Sequence, residues 1–120
     1  MVKILVVDDE PDMLEILKLV LEEHGYEVHT SLSGYECLSK AGRNSYDLIL
    51  LDIRMPGMDG WVTLRKLKEK GITKKSKIMV LTVEKGPGTE IFGLQDVVAD
   101  YMIKPFDNAE LVRHVKDVLK

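Results

Sequence analysis

Three short runs of uninterrupted aliphatic residues punctuate the chain: Ile4-Leu5-Val6-Val7, Leu48-Ile49-Leu50-Leu51 and Ile78-Met79-Val80-Leu81. A run without polar alternation suits a strand covered on both faces, as in a parallel sheet. Residues 27–30 and 100–103 are weaker strand candidates. Between the runs, apolar positions recur at helical spacing. Met13, Ile16, Leu17, Val20 and Leu21 follow Pro11, which fits a first helical turn, with Asp9 or Glu10 as cap and Gly25 as stop. Val62, Leu64 and Leu67 predict a shorter helix ending near Gly71, and Leu111, Val112, Val115, Val118 and Leu119 a last helix capped by Asp107. Residues 35–41 and 90–98 complete the helical set. The order is β-α five times. Such alternation predicts an α/β fold, a parallel sheet with helices on both faces joined by right-handed crossovers. No repeat or linker interrupts it, so residues 1–120 are expected to form one domain.

The polar residues at strand ends carry the chemistry. Asp8 and Asp9 follow the first run, Asp52 the third strand, Thr82 the fourth and Lys104 the fifth. All fall at C-terminal strand ends, the edge where open α/β sheets bind ligands. Three carboxylates in one crevice repel one another and raise each other's pKa. A hard divalent cation compensates, and Mg²⁺ suits a few carboxylate oxygens plus water. A carboxylate is also a competent nucleophile for forming an acyl phosphate. On this reading Asp52, alone at its strand end, attacks; Asp8 and Asp9 hold the metal; Lys104 and Thr82 supply a positive charge and a hydroxyl donor for phosphoryl oxygens.

Composition narrows the classes. The 120 residues are 45% hydrophobic and 31% charged, with a net charge of −3, which gives no reason to expect nucleic acid as a direct partner. No apolar run approaches the roughly 20 residues of a membrane helix, and no signal-peptide core is present. The single cysteine, Cys37, precludes an internal disulfide and fits a cytoplasmic setting.

Four segments together resemble the response-regulator receiver domains of two-component signalling, chemotaxis regulators among them: Ile4-Leu5-Val6-Val7-Asp8-Asp9-Glu10-Pro11, the stretch from Asp47 through Asp52 to Met55-Pro56-Gly57-Met58-Asp59-Gly60, Val80-Leu81-Thr82, and Tyr101-Met102-Ile103-Lys104-Pro105-Phe106. The resemblance implies a doubly wound (βα)5, flavodoxin-like domain with strand order 2-1-3-4-5. It implies phosphorylation of Asp52 by a sensor histidine kinase or phosphotransfer protein, in a Mg²⁺-dependent reaction. Asp9 and Asp52 are implied as side-chain Mg²⁺ ligands, the Arg54 backbone carbonyl as a third ligand, and Asp8 as a ligand through water. Lys104 pairs with the phosphoryl group, Thr82 is the switch hydroxyl, and Tyr101 is the aromatic that turns inward behind it. The Lys104-Pro105 bond resembles one often cis in the family. Such a domain is a signalling switch rather than a turnover enzyme. It passes its state to an unspecified effector or output domain through the face of the fourth helix, fifth strand and fifth helix, and admits a homodimer on phosphorylation.

Two competing readings fail on particular positions. A haloacid-dehalogenase-type phosphohydrolase needs an acid two residues after its nucleophile, where this chain has Arg54. A flavin domain needs a hydroxyl-rich loop where Asp8-Asp9-Glu10 stand. A receiver-like module that works unphosphorylated stays open as an alternative, with the intact acidic site as the argument against it. Several positions depart from the family pattern: Val83 after the switch threonine, Arg54 and Glu84 at positions that tune phosphoryl lifetime, Val97-Val98, and Gly86-Pro87-Gly88, which predicts a mobile segment over 84–90. Met55, Met58 and Met79 read as packing or loop residues, and His24, His29 and His114 as surface. Trp61 fits either packing or exposure. The basic stretch Arg65, Lys66, Lys68, Lys70, Lys74, Lys75 and Lys77 reads first as a solvated face and second as a docking patch for an acidic partner.

Overall fold

The computed structural model describes residues 1–83 and 93–120. Five strands, β1 (Lys3–Val7), β2 (Glu27–Ser31), β3 (Leu48–Asp52), β4 (Lys77–Thr82) and β5 (Val98–Ile103), form one all-parallel sheet of order β2-β1-β3-β4-β5. Among the described residues the helices are α1 (Pro11–Glu22), α2 (Gly34–Arg43), α3 (Gly60–Glu69) and α4 (Asn108–Val118), with a 3-10 turn at Ile72–Lys74.

Side chains alternate across a strand, and here the alternation sorts the core in two. Leu5, Val7, Ile49, Leu51, Ile78 and Val80 pack against Cys37 and Ala41 of α2 and Trp61, Leu64 and Leu67 of α3. Ile4, Val6, Leu48, Leu50, Met79 and Leu81 pack against Leu14, Leu17 and Leu21 of α1 and Leu111 and Val115 of α4. The continuous aliphatic runs are therefore doubly covered, as expected. Each strand extends the sequence expectation by a residue or two, so Asp52 and Thr82 close their strands rather than follow them.

Helix starts follow side-chain chemistry. The side-chain oxygens of Ser33, Asp59 and Asp107 accept the backbone N–H of Glu36, Val62 and Glu110 at 3.1, 2.9 and 2.7 Å. At α1, Glu10 occupies the cap position with no side-chain cap bond, and Pro11 leads the helix. Instead Asp8 Oδ1 accepts the Glu10 N–H at 3.0 Å. Neither Asp9 nor Glu10 is spent as the expected cap.

The helix expected over 90–98 is corrected. Residues 93–97 form turns, with Gly93 at φ +84°, and Val98 already belongs to β5. A left-handed glycine interrupts helical geometry, and the β-branched pair Val97-Val98 favours extended structure. Residues 90–92, and the 84–90 segment expected to be mobile, lie outside the described residues. The histidine reading also changes. His24 is exposed, but His29 Nδ1 lies 2.8 Å from Tyr46 Oη and its Nε2 lies 3.0 Å from Glu27 Oε2. His114 Nδ1 lies 2.5 Å from Asp100 Oδ2, and both histidines are half-buried.

Gly60 sets the approach of α3 to the strand-end loop. Its N–H donates to the Ile53 carbonyl at 2.8 Å, and a Cβ there would lie 2.5 Å from the Asp52 carbonyl oxygen and 2.6 Å from Ile53 Cα. Those atoms are backbone and cannot swing away. Gly42, in the last turn of α2, has nothing within 4 Å of its Cβ position. Urea unfolding is expected to show Gly60→Ala destabilised by about 1–3 kcal/mol and Gly42→Ala stabilised by about 0.5–1 kcal/mol. Equal midpoints for the two variants would contradict the contact.

Candidate functional site

The parallel register carries the sequence-predicted residues to one edge. Asp8 follows β1, Asp52 ends β3, Thr82 ends β4 and Lys104 follows β5. Backbone bonds lock the ends together: Ile53 N–H donates to the Leu81 carbonyl at 3.1 Å and Lys104 N–H to the Thr82 carbonyl at 2.8 Å. The Lys104 ammonium thereby reaches across the sheet. Its Nζ stands 3.0 Å from Asp8 Oδ2 and 3.5 Å from Asp52 Oδ2. Acids from two strands and the amine from a third share one pocket.

Burial makes this pocket electrically tense. Asp8 is fully buried, Asp52 is 5% exposed and Thr82 is 4% exposed. Burial, the largest influence, pushes the Asp52 carboxyl up to about 6; the Lys104 charge opposes the rise, and Asp8 and Asp9 add to it. The Arg54 N–H donates to Asp52 Oδ1 at 3.2 Å and also favours the anion. For Lys104, burial disfavours the charge, but the hydrogen bond to Asp8 and the field of both carboxylates outweigh it and raise its pKa. One amine thus faces two buried carboxylates, with Asp9 beside them.

The acids meet the needs of a hard cation. Oxygens of Asp8, Asp9 and Glu10 all lie within 4.8 Å of one another, a donor set of oxygen alone that suits Mg²⁺ or Ca²⁺ and not a soft metal. Glu10 was not among the residues singled out as ligands, although its position in Asp8-Asp9-Glu10 was the available signal. Asp52 is not part of that tight triad; the Lys104 ammonium links it to Asp8.

Tyr101 packs at the same end of β5. Its hydroxyl is buried without a hydrogen-bond partner among the described residues, and its ring lies 6.4 Å from that of Trp61 at a tilted angle. Trp61 is buried, so packing is the correct reading of that residue. The Lys104-Pro105 bond is cis, as the resemblance implied. Val83 is exposed beside the pocket and, with Lys104, Pro105 and Phe106, lines an apolar groove of about 410 Å³ that reaches Met13 and Ile16 of α1. Among the described residues no helix is long and apolar enough to cross a membrane.

Known proteins resemble this chain in sequence and fold. The sequence profile of the response regulator receiver domain matches residues 4–116. The transcriptional regulatory protein ResD of Bacillus subtilis is 38% identical over 118 residues, which are 98% of this chain and 48% of that protein. The chain spans between about a quarter and about half the length of the curated relatives it matches. Among solved structures, a CheY-like receiver domain from Methanospirillum hungatei superposes with a TM-score of 0.91 at 32% identity, covering 98% of this chain and 93% of that one. The response regulator TrrA of Thermotoga maritima, solved in complex with Mg(2+)-BeF, gives 0.83 at 37% identity, covering 99% of this chain and 100% of that one. With its strand order, its buried acid pair bridged by Lys104 and a profile match over nearly its whole length, the chain belongs to the response regulator receiver domain family of two-component signalling.

Proposed function

We propose that this chain accepts a phosphoryl group from the phosphohistidine of a sensor kinase or phosphotransfer protein onto Asp52, and that the modification shifts its conformation to control a partner or an output domain. The observation that carries the proposal is the Lys104 ammonium held between the buried carboxylates of Asp8 and Asp52. In the transfer an Asp52 oxygen attacks phosphorus, the donor's P–N bond breaks, an acyl phosphate forms, and the departing imidazole takes up a proton. Asp52 is oriented for this by two different hands, the Arg54 N–H on Oδ1 and the Lys104 ammonium near Oδ2. Lys104 can then exchange a carboxylate partner for a phosphoryl oxygen, a charge-assisted bond of similar length. Thr82, at the adjoining strand end, offers its hydroxyl as a second donor.

Asp8, Asp9 and Asp52, with the Arg54 carbonyl, would hold Mg²⁺, and Glu10 stands close enough to act through water. When bound, the cation supplies neutralisation of the carboxylates and of the phosphoryl oxygens. The Mg(2+)-BeF complex of the relative TrrA supports this reading. The switch is a population shift: only contacts stronger in one conformation than in the other move the balance. Thr82 moving towards the phosphoryl group opens room for the Tyr101 ring, whose hydroxyl has no partner among the described residues and whose neighbour is Trp61. The chain acts as a switch rather than a turnover enzyme, in the cytoplasm, where the reduced thiol of Cys37 is at home.

Acetyl phosphate or beryllofluoride with Mg²⁺ is expected to change Trp61 fluorescence, and Asp52→Asn to abolish the change. A signal that persists in Asp52→Asn, or that ignores chelation of Mg²⁺, would overturn the proposal. Val83→Ala is expected to be labelled faster by acetyl phosphate than the parent, because the β-branched side chain narrows the mouth of the pocket; equal rates would remove that role.

The raised Asp52 pKa sets a pH signature. The folded protein binds the Asp52 proton more tightly than the unfolded chain, so between about pH 4 and pH 6 its stability falls as pH rises, and above pH 6 the full cost is present. Lys104 slopes the same way in a different window: its raised folded value gives a stabilisation that is fully present at neutral pH and is lost at alkaline pH as pH rises through that value. In chelator at pH 7.5, Asp52→Asn is expected to be more stable than the parent by about 1–3 kcal/mol. Urea titrations should show the gap closing near pH 4 and narrowing when Mg²⁺ is added to the parent at pH 7.5. A gap independent of pH would mean that ionisation of the buried Asp52 is not its cause.

A further inference from the structure

The stretch from Arg65 to Lys77 holds seven basic residues against the single acid Glu69, a local charge of +6 in a chain of net −3, which leaves −9 for everything else. Part of this charge has a structural purpose. Lys66 and Lys68 lie in the last turn of α3, where a helix terminus favours cations. Lys68 Nζ also reaches Asp96 Oδ1 at 3.1 Å and the Gly93 carbonyl at 2.5 Å, and Lys77 Nζ reaches the Val118 carbonyl at 2.7 Å.

Lys70, Lys74 and Lys75 are different. All three are exposed, and none forms an ion pair among the described residues. Lys74 ends the 3-10 turn, and Lys75 follows it, so the helix terminus does not account for either. Lys70 and Lys75 both border a cleft of about 240 Å³ between the end of α2 and the 3-10 turn. Asn44, Ser45 and Ser76 also line it, and no carboxylate does. A larger cleft that Lys74 and Lys75 both border is also lined by Asp96, Asp100 and Asp117, so it is of mixed sign. The acid-free cleft is the one suited to an anion.

We propose that Lys70, Lys74, Lys75 and this cleft form a docking surface for an acidic segment of a partner protein, with a Glu or Asp side chain seated in the cleft and neighbouring acids against Lys74. Complementary charge of this kind steers encounter and fixes orientation. A peptide fits better than the other polyanions. None of the exposed large hydrophobic or aromatic side chains lies within the stretch, so the patch offers nucleic acid no base-stacking platform and a bilayer no apolar anchor. The −9 carried by the remaining chain also repels a long polyanion. The surface lies at the N-terminal ends of the strands. Thr82 lies five residue steps along β4 from Lys77, about 16 Å, roughly two Debye lengths at physiological salt. A partner docked there leaves the phosphoacceptor edge open.

The test is fluorescence anisotropy with a fluorescein-labelled oligo-glutamate peptide and the full chain. Saturable 1:1 binding that weakens as salt rises is expected. The triple reversal Lys70→Glu/Lys74→Glu/Lys75→Glu should lose about tenfold or more in affinity. The reversal Lys18→Glu/Lys116→Glu, at exposed sites on α1 and α4, should keep the parent value. Circular dichroism and urea unfolding confirm that both variants fold. The proposal fails if the triple variant binds as well as the parent, if the control pair loses as much, or if a DNA duplex or anionic phospholipid vesicles bind more tightly than the peptide.

Discussion

One ammonium among carboxylates governs the working edge of this protein. Lys104 Nζ stands 3.0 Å from Asp8 Oδ2 and 3.5 Å from Asp52 Oδ2, and both acids are nearly sealed from water. Two unit charges 4 Å apart interact by about 4 kcal/mol at the effective dielectric of a protein. Attraction and repulsion inside this pocket therefore both exceed most single packing contacts. Burial above all lifts the Asp52 pKa to about 6, Asp8 and Asp9 add to the rise, and the single lysine does not offset them. The site is built short of positive charge. That shortage makes a divalent cation a natural occupant, and it leaves Lys104 free to change partners once an acidic residue bears a phosphoryl group.

The scaffold holds this tension because every charged group is fixed by backbone. Asp8 and Asp52 stand where two fully covered strands end, Lys104 is held by its N–H bond to the Thr82 carbonyl, and Gly60 brings α3 against the Ile53 carbonyl. The two core layers, α1 with α4 and α2 with α3, prevent the strands from slipping in register. A one-residue slip would turn every strand side chain to the opposite layer and carry Asp52 away from Lys104. The same packing that stabilises the sheet thus sets the distance between amine and acid.

Much of this was legible in the sequence because it depends on strand ends. Continuous aliphatic runs marked doubly covered strands, and the polar residue after each run marked the edge. What was missed depends on other physics. Glu10 joins Asp8 and Asp9 in the acidic cluster, with its own N–H donated to Asp8 Oδ1, a folding back among adjacent acids that spacing does not reveal. The stretch 93–97 forms turns because Gly93 adopts a positive φ and Val98 is claimed by β4 through a parallel ladder, a tertiary demand that overrode helical spacing. That ladder contains an extra residue, since Ile78 pairs with Val98 and Met79 with Asp100. A bulge of this kind re-aims the side chains after it, and Asp100 comes to face His114 of α4, a pairing no one-dimensional pattern records.

The charge map gives the fold a polarity that its topology alone does not. In an all-parallel sheet the two strand edges differ chemically, and here the C-terminal edge gathers acids around one lysine while the N-terminal edge sets a run of lysines among scattered acids. The C-terminal edge gathers Asp8, Asp9, Glu10 and Asp52. The N-terminal edge presents Lys74, Lys75 and Lys77, all exposed. Net charge conceals this, because it sums all 17 basic and 20 acidic residues of the chain to −3. Separation by about two Debye lengths means that neither edge neutralises the other at physiological salt. The proposed phosphorylation of Asp52 would add negative charge only where the acids already stand, so the lysine-rich edge would keep its field in either state. Any coupling between the two edges must then travel through packed side chains such as Trp61 and Tyr101, which join α3 to β5, rather than through the solvent.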